Sequence, residues 1–314
     1  MQIFDAEAVH AALPYARLIE VLRRAHLGPA PLSDVIVQSD PLASGNMFVT
    51  LPGWLGGELI AVKMVGVFPG NLALDPPQAS VQGLVAVFDA KTGGALMVAD
   101  GEAMTFRKTA ADSALGATFL ARAGAEVLLI VGAGGLAPHV AEAHCAARPS
   151  LRRVMIWNRT AARAETLAAR LRAEGKAAEA VTDLDAAVAL ADVISCVTMS
   201  DQPLVKGALL KPGAHLDLVG AYLPTMREAD DAAMARGRLF VDTRNGMAGA
   251  GDLIQPVTAG VIGWDRVLGD LFDLAQGRVA GRQTADEITI FKNVGGAHLD
   301  LFTASGLLHG AGRG

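Results

Sequence analysis

The spacing of apolar residues changes character along the chain. Near the start, Leu18, Ile19, Leu22 and Ala25 recur at helical spacing, with Pro14 placed to open the helix and Gly28 to stop it. Asp5 is placed to cap a shorter helix before it. From Val35 to Asp100 the texture becomes one of short β-rich runs: VIVQS, NMFVTL, ELIAVKMVGV, VQGLVAVFD and ALMVAD. Pro, Gly, Asn and Asp separate them, and Lys91–Gly94 reads as a hairpin turn. Strands that follow one another through short turns predict a mostly antiparallel sheet.

A helix is predicted from Thr105 to Ala121, with Thr105 as its N-cap and Gly124 as terminator. Beyond it, helix and strand alternate. EVLLIV, VMIW, DVISCV, HLDLVG and LFVD are near-continuous apolar strands, and helices are expected over 136–147 and Thr160–Glu174. That alternation predicts a parallel sheet covered on both faces. The tail, EITIFKNVGGAHLDLFTASGLL, returns to strand and helix and is expected to fold back on the first domain. The fold class is therefore α/β: a Rossmann domain over residues 121–285, plus an α+β domain over 1–120 completed by 286–314, its sheet mostly antiparallel.

Composition narrows the function. The chain has 314 residues, of which 52% are hydrophobic; a usual domain size of ~100–200 residues argues for two domains. A net charge of −5 offers no basic face for DNA or RNA, so no nucleic-acid partner is expected. No run approaches the ~18 apolar residues of a membrane span, and Asp5 and Glu7 stand where a signal peptide needs basic residues. Cys145 and Cys196 form no CxxC pattern, which points to a reducing cytoplasm. His139, His144, His215 and His298 lack the spacing of a zinc pair and read as structural, so no metal is expected.

Candidate chemistry begins at Gly132-Ala133-Gly134-Gly135-Leu136, which follows a buried strand and opens a helix. A pyrophosphate fits such a turn because the helix N-terminus offers unpaired N–H groups, and glycine lets the backbone approach closely. Ala137 takes the third small position of the dinucleotide fingerprint. At the end of the next strand, an NAD enzyme places a carboxylate for the ribose 2′-OH. Here the strand ends Trp157-Asn158-Arg159-Thr160. Arg159 is placed to pair with a 2′-phosphate while Asn158 and Thr160 donate hydrogen bonds, so NADP(H) is favoured over NAD(H). Thr109, Thr198, Val219 and Asn293 complete the expected cofactor set.

Nearly the whole chain resembles the ornithine cyclodeaminase/mu-crystallin family, through VKMVGVFPGN (62–71), VQGLVAVFDAKTG (81–93), RKTAADSA (107–114), VGAGG (131–135), WNRT (157–160), VGAYLPTMRE (219–228) and ITIFKNVG (288–295). The resemblance implies a two-domain homodimer, the first domain binding substrate and pairing across the dimer, with the active site in the cleft between domains. Lys63 matches the lysine that the family sets beside the substrate carboxylate and reacting carbon, and a lysine within IAVKMVGV is costly unless it meets an anion. Lys108 takes the place of the family's usual arginine before TAA, with Arg107 preceding it. Neighbours on a helix point about 100° apart, so one of the two is expected to face the substrate.

Tyr222 stands where ornithine cyclodeaminases carry an acid/base aspartate. A phenol of reference pKa ~10 is no substitute base at neutral pH, although Asp217 and Asp230 lie nearby in sequence. The expected activity is NADPH-dependent reduction of a cyclic imine carboxylate of the Δ1-pyrroline-2-carboxylate or Δ1-piperideine-2-carboxylate type. Lys63 with Lys108 or Arg107 would bind the carboxylate, and water, Tyr222 or Lys63 would deliver the proton. The alternatives are an ornithine cyclodeaminase, an alanine dehydrogenase-like amino-acid dehydrogenase, and a non-catalytic NADPH-dependent binding protein.

Overall fold

In a computed structural model the chain is described from residue 1 to residue 311. It forms two compact units: Met1–Lys108 with the segment from Gly296 onward, and Thr109–Gly295.

The first unit opens with β1 (Gln2–Phe4), α1 (Ala6–Ala12) and α2 (Tyr15–Ala25). Asp5 caps α1 by accepting from the Ala8 N–H, and α2 buries Tyr15, Leu18, Ile19 and Leu22, as their spacing predicts. Next come β2 (Leu32–Ser33), β3 (Ile36–Ser39), β4 (Met47–Leu55), β5 (Leu59–Val67), β6 (Val81–Asp89) and β7 (Ala95–Asp100). Their sheet runs β1-β7-β6-β5-β4-β2, with β3 also on β4. All its pairings are antiparallel except β1 with β7. Leu59, Ala61, Lys63 and Val65 share one face of β5, and Leu51 and Val85 flank Lys63 across the ladders. The last helix of the chain, Ala297–Ala311, packs on that face: a Cβ at Gly53 would lie 3.0 Å from the Ala297 carbonyl oxygen.

The helix after β7, α3, spans Gly101–Leu120 rather than starting at Thr105. Asp100 is its cap, accepting from the Ala103 N–H at 2.8 Å. Thr105 sits inside the helix and donates to the Gly101 carbonyl at 2.6 Å, the back-bond by which a threonine satisfies itself away from a helix end.

In the second unit, β8 (Val127–Val131), α4 (Ala137–Ala147), β9 (Arg153–Trp157), α5 (Ala161–Ala173) and β10 (Ala178–Ala180) build one wing. The other contains α6 (Leu184–Leu190), β11 (Val193–Cys196), β12 (His215–Leu218), α7 (Asp231–Arg236), β13 (Arg238–Val241), α8 (Gly251–Thr258), β14 (Val267–Gly269), α9 (Leu271–Ala275) and β15 (Thr289–Lys292). The helix α10 (Ala297–Ala311) then completes the first unit. The sheet order is β10-β9-β8-β11-β12-β15-β13-β14, and every pairing is parallel. Chain order reverses between β8 and β11, which makes the carboxyl ends of these two strands the switch point where such sheets bind ligands.

The tail divides differently from the sequence-based expectation. β15 does not join the first sheet; it inserts between β12 and β13, and all four of its residues are buried, as a central parallel strand requires. Only the segment beyond Gly295 belongs to the first unit, and the other boundary falls at Lys108, inside α3, rather than at 120. The later half of α3 packs against β15: a Cβ on Gly116 would lie 2.9 Å from the Phe291 ring. Among the described residues, no helix is long and apolar enough to cross a membrane.

Because that contact leaves no room for a side chain, Gly116→Val is expected to destabilise the protein by about 1–3 kcal/mol through overpacking. Urea unfolding measures this, and an unchanged midpoint would mean that α3 can back away from Phe291.

Candidate active site

The turn after β8 has the construction that a diphosphate requires. Gly132 has φ +118°, and a Cβ there would lie 2.9 Å from the Val197 carbonyl oxygen and 3.2 Å from the Thr198 methyl, so only glycine fits. Gly134 and Gly135 are exposed. Leu136, at the N-cap of α4, supplies no side-chain bond, and Pro138 stands in the first turn. Among the described residues, the N–H groups of Gly134, Gly135 and Leu136 have no acceptor, while that of Ala133 donates to Asn158 Oδ1 at 3.2 Å. An uncapped helix start at the switch point, free of covering side chains, fits a dinucleotide pyrophosphate.

Asn158 is more occupied than its sequence position suggests, because its Nδ2 also donates to the Thr160 carbonyl at 3.0 Å. Arg159 and Thr160 are exposed at the end of β9. An exposed guanidinium at this strand end is accessible to an anion. Asn293 is buried; it donates to the Thr109 carbonyl at 3.3 Å and to Ser113 Oγ at 3.2 Å, pinning the loop after β15 to α3.

Sequence reasoning missed Glu228, which organises the strand ends beside this turn. Its Oε1 accepts from the Thr198 N–H at 2.6 Å and the Thr198 hydroxyl at 2.9 Å. Its Oε2 accepts from the N–H groups of Val219 at 3.1 Å and Gly220 at 2.8 Å. One buried carboxylate thus ties the turns after β11 and β12 together. The fit is close: a Cβ on Gly220 would lie 1.8 Å from the Thr198 carbonyl oxygen. Beneath it, Lys292 and Asp252 form a fully buried ion pair at 3.1 Å, and Asp252 Oδ1 accepts from the Glu228 N–H at 2.8 Å. Burial pushes the Glu228 carboxyl upward, and Lys292 and the donors at Thr198 pull it back down. A signal exists in the run VGAYLPTMRE, where a charged residue ends an apolar turn, but the partners of Glu228 lie far off in sequence.

In the first unit the structure brings Lys63, Lys108 and two further residues together. Lys63 Nζ, half-buried, donates to Thr105 Oγ1 at 2.6 Å. Lys108 Nζ contacts Asp300 Oδ2 of α10 at 2.5 Å, with both side chains buried, and reaches the Gly296 carbonyl at 3.4 Å. Burial lowers the Lys63 ammonium to about 8; Asp300 pushes it up and Lys108 pushes it down. Arg107 takes the other helix face. Its Nε donates to His10 at 2.9 Å and its guanidinium lies 4.3 Å from the centre of the Tyr15 ring, so it packs against α1 and α2 instead of joining Lys63.

Neither carboxylate near Tyr222 in sequence is free to act as an acid/base group. Asp217 is buried between Ser195 Oγ, at 2.5 Å, and His144 Nε2, at 3.2 Å. Asp230 caps α7 and accepts from the Gly207 N–H. Tyr222 itself is 57% exposed.

An all-parallel sheet with a glycine-lined, uncapped helix start at its switch point defines a Rossmann-type dinucleotide-binding protein. The chain belongs to the ornithine cyclodeaminase/mu-crystallin family, whose profile matches residues 16–308. It is 43% identical over 295 residues to a Δ(1)-pyrroline-2-carboxylate reductase of Paracoccus denitrificans, covering 93% of this chain and 92% of that one. It is 34% identical over 269 residues to the ketimine reductase mu-crystallin of Rattus norvegicus, covering 84% and 80%. The structure of Thermococcus litoralis Δ(1)-pyrroline-2-carboxylate reductase in complex with NADH and L-proline superimposes with a TM-score of 0.90 at 27% identity, covering 99% of this chain and 97% of that one. These relatives are reductases of C=N bonds, the class expected from the sequence, and the Thermococcus protein carries a nicotinamide dinucleotide.

Glu228→Gln would turn an amide N–H₂ toward donors that need an acceptor and loosen the turns at Thr198 and Val219. Affinity for a reduced nicotinamide dinucleotide, measured by fluorescence titration, is expected to fall roughly tenfold, the scale of one lost charge-assisted hydrogen bond. Unchanged affinity would show that the turns hold without it.

Proposed function

We propose that this protein is an NADPH-dependent reductase of a cyclic imine carrying a carboxylate, of the Δ1-pyrroline-2-carboxylate or Δ1-piperideine-2-carboxylate type. The observation that carries this reading is the convergence of Lys63 and Lys108 in the first unit, and the family resemblance adds to it by placing Tyr222 where cyclodeaminases carry an acid/base aspartate. The identity to the Paracoccus reductase supports it.

On this reading Lys63 and Lys108 bind the substrate carboxylate as two point charges and hold the imine carbon in a near-attack position. A bound reduced nicotinamide supplies the hydride to that carbon. The cyclic imine accepts it in its protonated form, so the nitrogen ends as a secondary amine and no strong base has to remove a proton. Lys63 is suited to proton delivery as well, since an ammonium lowered to about 8 gives up its proton more readily than an ordinary lysine. Gly132, Ala133, Gly134, Gly135 and Leu136 would hold the pyrophosphate, and Arg159 the 2′-phosphate. The rest of the cofactor set would be Thr109, Asn158, Thr160, Thr198, Val219 and Asn293. The two cysteines, neither in a disulfide, suit a reducing cytoplasm.

We also propose a homodimer formed through the first unit. The sheet face opposite Lys63 carries Ile36, Phe48, Trp54 and Leu84, all exposed, with Trp54 50% exposed. A contiguous apolar sheet face is an interaction surface. Sedimentation is expected to give a dimer, and Trp54→Asp a monomer; a monomeric parent protein would refute the assembly.

The activity is tested by NADPH oxidation at 340 nm with pyrroline-2-carboxylate, with NADH in parallel and ammonia release from L-ornithine as a control. NADPH should be preferred. Arg159→Ala should raise KM for NADPH about 10–100-fold, the worth of a charged hydrogen-bonded contact, and leave NADH nearly unchanged. Ammonia and proline from ornithine would instead establish a cyclodeaminase.

A further inference from the structure

We infer that Asp300 is a positioning residue for the substrate carboxylate: from behind the site it fixes the Lys108 ammonium at one point and sets its negative charge beside Lys63. The inference rests on the carboxylate-binding role proposed above for these two lysines.

Asp300 is out of reach of any ligand, because its side chain is 1% exposed. It is not a helix cap of the kind formed by Asp5, Asp183 or Asp230, whose oxygens accept backbone N–H groups. Its Oδ2 meets Lys108 Nζ at 2.5 Å, while its Oδ1 is buried without any hydrogen-bond partner. A carboxylate with one oxygen unsatisfied is costly to bury, and what it supplies in return is negative charge beside two ammonium groups. Those groups need it. Burial lowers the Lys63 ammonium, and the charge of Lys108 beside it lowers it further. Asp300 is the group that raises Lys63 against the lowering by burial and by Lys108.

The other titratable groups packed here leave the task to Asp300. His298, also on α10, and His26, at the C-cap of α2, stack edge to face with Phe302, and burial holds both imidazoles neutral, His26 at about 4 and His298 well below its ordinary value. Arg107 is turned to His10 and Tyr15. The need is sharper for lysine than for the arginine usual at this position. A guanidinium keeps its charge in any surroundings and aims its own fork, whereas an ammonium on a flexible stem does neither unaided.

The test is the pH dependence of binding of pyrrole-2-carboxylate, a planar monocarboxylate that cannot be reduced, to NADPH-loaded protein by calorimetry. In the parent protein, affinity should fall as pH rises through about 8, where Lys63 loses its charge. In Asp300→Asn it should be weaker at neutral pH by about tenfold, and the fall should move down by about one to three pH units. Asp300→Glu should restore the position of the fall. Equal affinity in Asp300→Asn, or a uniform loss with the fall unmoved, would overturn the inference, since a purely structural role weakens binding alike at every pH.

If Asp300→Asn does not fold, competitive acylation of the parent protein decides. Lys108, engaged with buried Asp300, should be acylated more slowly than Lys63, and equal reactivity of the two would overturn the inference. Turnover is a separate question. A protein that binds pyrrole-2-carboxylate with the expected pH dependence but reduces no imine would sink the reductase reading and leave the role of Asp300 standing.

Discussion

Burying an ammonium group among apolar side chains is tolerable only when an anion comes with it, and each unit of this protein is organised around one such pair. In the second unit, Lys292 and Asp252 lie fully buried at 3.1 Å beneath the strand ends. Asp252 also accepts from the Glu228 backbone, which fixes the residue whose carboxylate gathers the turns after β11 and β12. In the first unit, Lys108 and Asp300 meet at 2.5 Å beside Lys63. Neither pair need add stability as such, since well-packed apolar residues would often serve as well. Their effect is to specify where charges and backbone donors stand.

The two pairs do different work. Lys292–Asp252 acts through backbone: it supports a carboxylate that receives three N–H groups and one hydroxyl, leaving the glycine turn after β8 open to a ligand. Lys108–Asp300 acts through charge: both side chains are buried, Asp300 almost completely, and its negative charge stands beside Lys63. Lys63 stands between these extremes, half-buried, bonded to the Thr105 hydroxyl, and lowered to about 8 by burial. That lowering brings the ammonium close to neutrality, as proton exchange with a ligand requires.

Much of the architecture is legible because it rests on local patterns. Period-two runs mark the strands of the first sheet, uninterrupted apolar runs mark those of the second, and Asp5 and Pro14 mark helix starts that the structure has. The glycine turn can be read for the same reason: φ +118° at Gly132 is a demand made by neighbouring residues. Long-range packing sets the features that escape such a reading. The pattern of TIFK identifies a strand but not that it lies between β12 and β13. Thr105 has the character of a helix cap, yet Asp100, at the end of β7, takes that place one turn earlier. Asp300 and Glu228 are invisible for a related reason, since a lone acid in an apolar helix or after a turn looks solvated until its distant partner is known.

The choice between Arg107 and Lys108 shows where sequence reasoning stops. Their angular separation on α3 guarantees that they face different ways, but only the placement of α1, α2 and α10 decides which way is which. Once Arg107 is committed to His10 and Tyr15, the cation beside Lys63 is Lys108 and not a guanidinium. A pair of point charges cannot impose the planar, two-pronged alignment of an arginine on a carboxylate. Alignment then has to come from fixing the charges themselves, through Thr105 for Lys63 and Asp300 for Lys108. The geometry that one arginine would have carried in its own bonds is here distributed over four side chains. On the proposed reading, the alignment of the carboxylate depends on Asp300, which is buried out of a ligand's reach.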